Sequence, residues 1–226
     1  GKGVRIDSGD IAYLSKKTRK MLDEAGLDYV KIVASNSLDE SIIRDLIMQG
    51  AQIDSFGVGE RLITSKSEPV FGGVYKLSAV EENGKIIPKI KISENVTKIT
   101  NPSYKKVWRL FDNASGKAVA DVITLADEVI DDSKPYTIFD PEQTYKKTTL
   151  TNFTAKPLQV KIFEKGKCIY NSPDIEEIKA YCKSQLGTIW DEVKRFENPH
   201  EYYVDLSQPL WELKNRLLSE YFGYGE

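Results

Sequence analysis

One stretch decides the fold: residues 29–59 have the sequence YVKIVASNSLDESIIRDLIMQGAQIDSFGVG. Residues 29–34 are rich in β-branched side chains and predict a strand. Ser37-Leu38-Asp39-Glu40 has the pattern of a capping box, and an amphipathic helix follows it. Residues 53–56 predict a second strand, which runs directly into Gly57-Val58-Gly59. The stretch is therefore a strand–helix–strand unit.

The residues before this stretch repeat the same pattern. Residues 4–6 predict a short strand, and Asp7-Ser8-Gly9-Asp10 follows as a turn and helix cap. The next helix carries an apolar stripe that includes Ile11 and Leu14, and Gly26 ends it. Three strands that alternate with two helices predict parallel pairing with right-handed crossovers.

The predicted strand ends carry the polar residues. Asp7, the pair Ser35-Asn36 and the loop Gly57-Val58-Gly59 each follow a strand, so we expect them on one side of the sheet. Three parallel strands cannot close a barrel, which needs about eight. Either the sheet is open, or the rest of a barrel precedes residue 1. The abrupt start, without an initiator Met, favours the second interpretation.

The remainder of the chain has a different rhythm. Short strands are predicted at residues 74–77, 88–92, 107–111, 160–163 and 167–170, with turns at 83–84 and 113–116. A long helix is predicted from Pro173 to Phe196, and a last one follows Pro209. We therefore predict an α/β fold with two domains: a partial α/β barrel at 1–71 and a β-rich domain with carboxyl-terminal helices at 72–226.

Composition excludes several function classes. The net charge is -2, with 32 basic against 34 acidic residues, which gives no field for nucleic acid or an anionic membrane. No apolar stretch approaches the ~20 residues of a membrane helix. Cys168 and Cys182 lack metal-ligand spacing and are typical of a reduced cytosolic protein, although a disulfide stays open. His200, the single histidine, has no metal or catalytic partners in sequence, so a structural role is favoured.

The loop after the third strand is the first candidate site. In Gly57-Val58-Gly59-Glu60-Arg61 the glycines allow backbone N–H groups to turn toward an anion, and Arg61 adds a cation for phosphate. The alternative is an ordinary tight turn. The other polar strand ends favour the phosphate-binding interpretation.

Arg5 and Asp7 alternate along one strand and share a face, so they form either a structural ion pair or a ligand site. In a ligand site, Arg5 suits a carboxylate, and Asp7 suits ribose hydroxyls or a magnesium-bound group. Ser35 and Asn36 either lead into the next helix or contact ribose or phosphate.

These segments together resemble the nicotinate phosphoribosyltransferase family. Gly3-Val4-Arg5-Ile6-Asp7-Ser8-Gly9-Asp10 is similar to that family's GVRxDSGD segment, and 32–39 is similar to its next strand end. Residues 56–62 with 72–77 resemble its phosphate loop and exit, and 198–207 resembles its carboxyl-terminal signature. The motifs occur in family order along essentially the whole chain.

The resemblance implies an irregular α/β barrel fused to a β-rich domain, in a cytoplasmic homodimer with active sites at the subunit boundary. It implies that nicotinate and phosphoribosyl pyrophosphate form nicotinate mononucleotide and pyrophosphate, with Mg²⁺. ATP hydrolysis drives the reaction through a phosphohistidine. That histidine precedes the GVRxDSGD segment in the family, and His200 does not match its motif. This chain therefore resembles only the carboxyl-terminal half, and we expect it to be inactive without the amino-terminal half.

Carried over by position, the resemblance implies that Arg5 contacts the nicotinate carboxylate or holds the ring site. It implies that Asp7 serves the ribose or pyrophosphate region and that Ser35 and Asn36 lie near the ribose. Gly57, Val58, Gly59, Glu60 and Arg61 form the phosphate loop. Many relatives have Thr where Glu60 stands, so only its backbone contact carries over. The resemblance assigns no catalytic residue and no metal ligand to this chain. Two alternatives stay open: a nicotinamide phosphoribosyltransferase, or a non-enzymatic phosphate- or nucleotide-binding module.

Overall fold

The computed structural model describes residues 3–70, 72–95 and 98–223. The chain divides into two compact units, Gly1–Val74 and Tyr75–Glu226. The sequence-based boundary lies a few residues earlier, at 71/72. Among the described residues, no helix combines the length and the apolar character that crossing a membrane requires.

The first unit is a mixed α/β structure around a three-stranded parallel sheet. Its elements are β1 (Gly3–Ile6), α1 (Ile11–Glu24), β2 (Lys31–Ala34), α2 (Glu40–Met48), β3 (Ser55–Phe56) and α3 (Glu60–Ile63). The strand order is β1-β2-β3, and both neighbouring pairs are parallel. The predicted parallel pairing is thus confirmed, although the third strand is shorter than predicted.

The register decides which side chains lie on each face of this sheet. Ile6, Ala34 and Phe56 are paired across the three strands, and they lie on the face that packs against the helices. Ala34 is fully buried in a cluster with Ala12 of α1, Leu46 of α2 and Leu38, which precedes the cap of α2. Arg5, Val33 and Ser55 form the neighbouring row, which alternation places on the opposite face.

Aspartates begin the two longer helices of this unit. The Asp10 carboxylate accepts the Tyr13 N–H at the start of α1. Asp39 does the same for α2 by accepting the N–H of Ile42. The predicted capping box at Ser37 is therefore wrong: Ser37 has a left-handed backbone (φ 51°) and lies before the cap. Asp39 is the cap because it directly precedes the first helical residue, so its carboxylate reaches the free N–H of Ile42 three residues later.

The second unit is built on a four-stranded sheet of order β10-β6-β7-β13, in which only the β7–β13 pair is parallel. Its strands are β4 (Ala79–Glu82), β5 (Lys85–Pro88), β6 (Lys105–Asp112), β7 (Ala118–Leu125), β8 (Tyr136–Phe139), β9 (Lys147–Leu150), β10 (Phe153–Pro157), β11 (Phe163–Glu164), β12 (Lys167–Cys168) and β13 (Tyr203–Leu206). Its helices are α4 (Ile175–Thr188) and α5 (Gln208–Phe222). Trp108, Leu110, Val122 and Phe153 are central to its core.

Both predicted turns are confirmed, but the predicted strands at 74–77 and 88–92 are not. Those predicted at 160–163 and 167–170 are reduced to the two-residue strands Phe163–Glu164 and Lys167–Cys168. Asn83-Gly84 joins β4 to β5 with two positive φ angles, and residues 113–117 join β6 to β7. Residues 74–77 have no regular structure, and strand β5 ends at Pro88 instead of beginning there. Tyr75 is fully exposed, so these β-branched and aromatic residues have no core to pack against, and strand propensity alone is insufficient.

The long predicted helix is also shorter. Asp174 caps α4 in a capping box with Glu177, so Pro173 precedes the cap instead of opening the helix. The helix ends at Thr188, and the predicted apolar stripe beyond it, including Val193 and Phe196, is not helical. The Lys117 ammonium donates to the carbonyl of Gly187 at 2.8 Å, which satisfies an oxygen that a continuing helix would use.

A buried ion pair connects the middle strands of the second sheet. Arg109 on β6 faces Asp121 on β7, and two parallel hydrogen bonds of 2.8 and 2.9 Å join guanidinium and carboxylate. The Tyr202 hydroxyl donates a third bond to Asp121 at 2.9 Å. The carboxylate raises the pKa of Arg109, and burial, followed by the Asp121 charge, raises that of Tyr202. The Asp121 carboxylate therefore has hydrogen-bond donors from both Arg109 and Tyr202, and the Arg109 charge has a carboxylate partner.

We predict that Asp121→Ala lowers the free energy of unfolding by about 3 kcal/mol, because it leaves the Arg109 charge buried without its partner. Tyr202→Phe removes one bond to a charged group and costs about 1.5 kcal/mol. Glu220→Gln in the exposed Arg216–Glu220 pair, 3.8 Å apart, is the control and changes stability by under about 0.5 kcal/mol. Urea unfolding measures all three. Equal losses at Asp121 and Glu220 would contradict a stabilising role for the network.

Candidate functional site

Hydrogen bonds align the ends of the three parallel strands. The Ser35 N–H donates to the Ile6 carbonyl at 3.0 Å, and the Gly57 N–H donates to the Ala34 carbonyl at 2.8 Å. Each bond joins the residue after one strand to the last residue of its neighbour. The predicted polar residues therefore do come together at one edge of the sheet.

Arg5 bridges the first two strand ends. Its guanidinium donates to the Ser35 hydroxyl at 3.1 Å and forms an ion pair with Asp7 at 2.9 Å. The Arg5 side chain is 65% exposed and that of Asp7 is 47% exposed. Such an exposed pair contributes little to stability. The guanidinium is held at a fixed place while much of its surface stays available to a ligand.

Asn36 and Ser37 carry unusual backbone conformations at the end of β2. Asn36 has φ 90° and Ser37 has φ 51°, both in the left-handed region that residues with side chains rarely occupy. Such conformations concentrate at functional sites because the surrounding structure must enforce them. The sequence instead predicts special backbone geometry at the glycines of the loop after β3. Neither Gly57 nor Gly59 is among the residues with positive φ, so the anion-binding nest predicted on those glycines does not form in that way.

The loop after β3 nevertheless offers a set of free donors. The N–H groups of residues 58–61 make no hydrogen bond to any described residue. The next two, of Leu62 and Ile63, both donate to the Gly59 carbonyl at 3.0 Å. The loop lies close to β2: a Cβ built on Gly57 would be in van der Waals contact with the Ser35 Cβ, 3.4 Å away. Consecutive free N–H groups at the start of a helical turn attract anions.

Arg61 belongs to this loop, and its charge is already shared. Its guanidinium forms an ion pair with Asp39, the cap of α2, and both side chains are about three-quarters buried. The Ile42 N–H, and then Arg61, lower the pKa of Asp39, so its carboxylate stays charged. Asp39 thus fixes the loop to α2 and holds a cation beside the free N–H groups. Asp39 was absent from the sequence-based site. Its position at the start of the predicted second helix was the feature of the sequence that could have indicated it.

The remaining candidates lie outside this edge. His200 is in the second unit, where its N–H donates to the Glu192 carbonyl and its ring lies edge-on to Tyr203. In residues 3–70, 72–95 and 98–223, no group of three or more His, Cys, Asp or Glu side chains could hold a metal ion. Cys168 and Cys182 are both free thiols.

Comparison with known proteins agrees with the motifs in the sequence. The chain is 47% identical over 218 residues to nicotinate phosphoribosyltransferase of Bacillus subtilis, covering 96% of this chain and 44% of that protein. The family model for the nicotinate phosphoribosyltransferase C-terminal domain matches residues 104–214. The chain belongs to the nicotinate phosphoribosyltransferase family. It corresponds to the carboxyl-terminal part and spans less than half the length of the relatives it matches.

Structural comparison gives the same family. The crystal structure of human nicotinic acid phosphoribosyltransferase matches with a TM-score of 0.70 and 27% identity, over 96% of this chain and 40% of that one. The nicotinate phosphoribosyltransferase of Dictyostelium discoideum is 34% identical over 95% of this chain and 38% of its own length. Nicotinate-nucleotide pyrophosphorylase from Pyrococcus furiosus, at 24% identity and a TM-score of 0.50, shares the fold alone.

We predict a pH signature for the Asp39–Arg61 pair. Asp39→Asn keeps the helix cap but removes the charge, so it lowers the melting temperature less than Asp39→Ala does. Because the folded pKa of Asp39 is lowered, its charge stabilises the fold above about pH 4, and that stability is lost as the pH falls through the folded pKa. Thermal unfolding should show the melting temperatures of wild type and Asp39→Asn converging as the pH falls below the ordinary pKa of an aspartate. A constant difference would contradict the ionic role.

Proposed function

We propose that the whole protein is a nicotinate phosphoribosyltransferase, and that the first unit of this chain supplies part of its substrate site. The reaction joins nicotinate to phosphoribosyl pyrophosphate and forms nicotinate mononucleotide and pyrophosphate. One observation carries the proposal: an exposed arginine, two hydroxyl or amide side chains and four free N–H groups lie along one edge of a parallel sheet. That edge is where α/β folds bind phosphorylated ligands.

The 5-phosphate of the substrate is assigned to the loop after β3. The free N–H groups of residues 58–61 are donors of the kind that phosphate oxygens accept at helix starts. Arg61 has five donor positions, so a guanidinium paired with Asp39 retains donors for a phosphate oxygen. Glu60 takes part through its backbone.

The pyridine carboxylate is assigned to Arg5. A guanidinium presents a planar fork that binds a carboxylate through two hydrogen bonds, and Ser35 and Asp7 hold this one in place. Asp7, Ser35 and Asn36 are the groups assigned to the ribose and pyrophosphate region, because they follow β1 and β2 at the same edge. No residue of this chain is assigned to a bond-forming step.

Magnesium fits this edge through Asp7 alone. Mg²⁺ usually takes one or two carboxylates and completes its shell with water and substrate phosphates, which agrees with a site that has one exposed carboxylate. Bound with phosphoribosyl pyrophosphate, the ion would supply positive charge beside the pyrophosphate oxygens. ATP hydrolysis through a phosphohistidine belongs to the proposal for the whole protein, and His200 is not assigned to it.

We propose that the first unit is part of a β/α barrel. Its strands are in sequential order, and both longer helices contribute to the same core on one face. Sequential right-handed crossovers produce that arrangement, and a barrel closes it with about five further strands. We propose that the amino-terminal half, as present in the longer relatives, supplies them. A cytoplasmic homodimer and inactivity of this chain alone complete the proposal.

We predict that inorganic phosphate binds the 226-residue chain at residues 58–61. Titration followed by ¹⁵N–¹H NMR should shift the amide signals of Val58, Gly59, Glu60 and Arg61 most strongly, because their N–H groups are free. Sodium chloride at equal ionic strength is the control and leaves these signals nearly unmoved. Phosphate-specific shifts that are confined to other residues would contradict the assignment.

We predict that Arg5→Lys in the full-length protein raises the nicotinate KM by about 10- to 150-fold, because Lys cannot make the paired bonds. The KM for phosphoribosyl pyrophosphate changes far less. Arg19→Lys is the matched control: Arg19 binds the carbonyls of Leu27 and Val30 and the Asp23 carboxylate. That substitution lowers stability and leaves the ratio of KM values unchanged.

Steady-state kinetics with nicotinate and nicotinamide, alongside thermal unfolding, separate the outcomes. An unchanged nicotinate KM in Arg5→Lys would leave Arg5 as a structural residue. Turnover of nicotinamide in preference to nicotinate would favour the related nicotinamide enzyme instead. If the full-length protein turns over neither pyridine but still binds phosphate, the outcome would favour a non-enzymatic phosphate-binding module.

A further inference from the structure

The second unit contains a cavity of about 250 Å³ between β8, β9 and β13. Ile138 and Phe139 of β8 provide buried apolar walls, and Tyr203 of β13 adds an aromatic ring. Four charged side chains also line it: Asp140, Lys146, Lys147 and Asp205. None of these residues belongs to the edge assigned to nicotinate and phosphoribosyl pyrophosphate.

Asp205 is the unexplained group in this cavity. It is only 4% exposed, and its register partner on β7 is Val122, a residue of the main core. Its carboxylate makes no hydrogen bond and no ion pair with any residue in the described part of the chain. The other buried aspartate of this sheet, Asp121, has three such bonds. A buried carboxylate without a partner is costly unless a cation or donor reaches it.

A second carboxylate strengthens the negative potential there. Asp140 follows β8, and one of its oxygens accepts the N–H groups of Glu142 and Gln143 at 2.8 and 2.9 Å. Those bonds lower its pKa, so it is charged at neutral pH. Burial, and then the charge of Asp140, raise the pKa of Asp205 to about 6. Asp205 is thus also mostly charged at pH 7.5, in surroundings that favour a positive partner.

The mouth of the cavity has the opposite charge. Lys146 and Lys147 are exposed residues at the start of β9, and Lys147 pairs with Phe139 across the hairpin. The charge of Lys146 acts on Asp140, so Lys147 is the ammonium group that remains for the other end of a ligand whose cation lies at Asp205. A divalent metal ion fits less well, because the ammonium groups of Lys146 and Lys147 line the same cavity and repel it.

We propose that this cavity binds a short amino carboxylate, with its ammonium group on Asp205, its aliphatic stem against Ile138 and Phe139, and its carboxylate near Lys147. The two charges of such a zwitterion match the two charged ends of the cavity, and its stem matches the apolar wall. The volume suits a ligand of several non-hydrogen atoms. Binding here requires no reaction and is independent of the proposed transferase activity.

Calorimetric titration of the 226-residue chain at about pH 7.5 tests this site with three matched probes: 4-aminobutyrate, butylamine and butyrate. We expect 4-aminobutyrate to bind most tightly, butylamine more weakly and butyrate not at all. Asp205→Asn should weaken 4-aminobutyrate by at least about 10-fold, since it removes a charge-assisted bond. Asp127→Asn, at an exposed position outside the cavity, is the control and leaves binding unchanged.

Lys147→Gln provides an independent variant on an exposed position. In this variant 4-aminobutyrate should bind only as tightly as butylamine does. The reason is that Lys147 contacts the carboxylate of 4-aminobutyrate, and butylamine has no carboxylate. Asp205→Asn is nearly isosteric and removes a buried charge, so it should stay folded, and thermal unfolding verifies this. The proposal is overturned if none of the amines binds, if Asp205→Asn binds as wild type, or if Mg²⁺ binds in an Asp205-dependent manner while the amines do not.

Discussion

The parallel register that joins β1, β2 and β3 is the constraint on which the first unit depends. It pairs Ile6 with Ala34 and Phe56, so these apolar side chains meet the helices, and it places Arg5 on the other face. A shift by one residue would exchange the two faces. The same register brings Asp7, Ser35 and Gly57 to one edge. The core and the candidate site are therefore consequences of a single alignment.

The second unit shows two outcomes for a carboxylate within one sheet. Asp121 and Asp205 lie on neighbouring strands and both are buried, but the register pairs Asp121 with Val204 and Asp205 with Val122. They consequently lie on opposite faces. On its face Asp121 meets Arg109 and Tyr202, which satisfy its charge. On the core face Asp205 meets apolar residues and a cavity. This contrast is why Asp205, and not Asp121, indicates a ligand.

Much of the first unit follows from its sequence because the signals there are local. Strand composition, Gly26 and Gly50 as helix ends, and the alternation of strands with helices together predict its topology. The polar strand ends also predict the site edge. The sequence does not reveal the pairing of Asp39 with Arg61, because 22 residues separate them and only the fold brings them together.

Prediction is weaker in the second unit, where pairing partners decide the structure. The strands at 107–111 and the Asn83-Gly84 turn are found, since each has a strong local pattern. Residues 74–77 have a comparable pattern and form no strand, because no neighbouring strand pairs with them. The apolar periodicity beyond Thr188 similarly does not extend α4. The environment of Asp205 could not be predicted from the sequence. Its burial and its lack of a partner depend on how β7, β8, β9 and β13 come together in the fold.

The central claim is that the edge formed by β1, β2 and β3 binds the phosphoribosyl and pyridine parts of one nucleotide. A crystal structure of the full-length protein with nicotinate mononucleotide tests it most directly. The account predicts phosphate oxygens within about 2.7–3.2 Å of the N–H groups of Val58 to Arg61, and the pyridine carboxylate paired with Arg5. A nucleotide bound elsewhere, with Arg5 still paired only to Asp7 and Ser35, would contradict it.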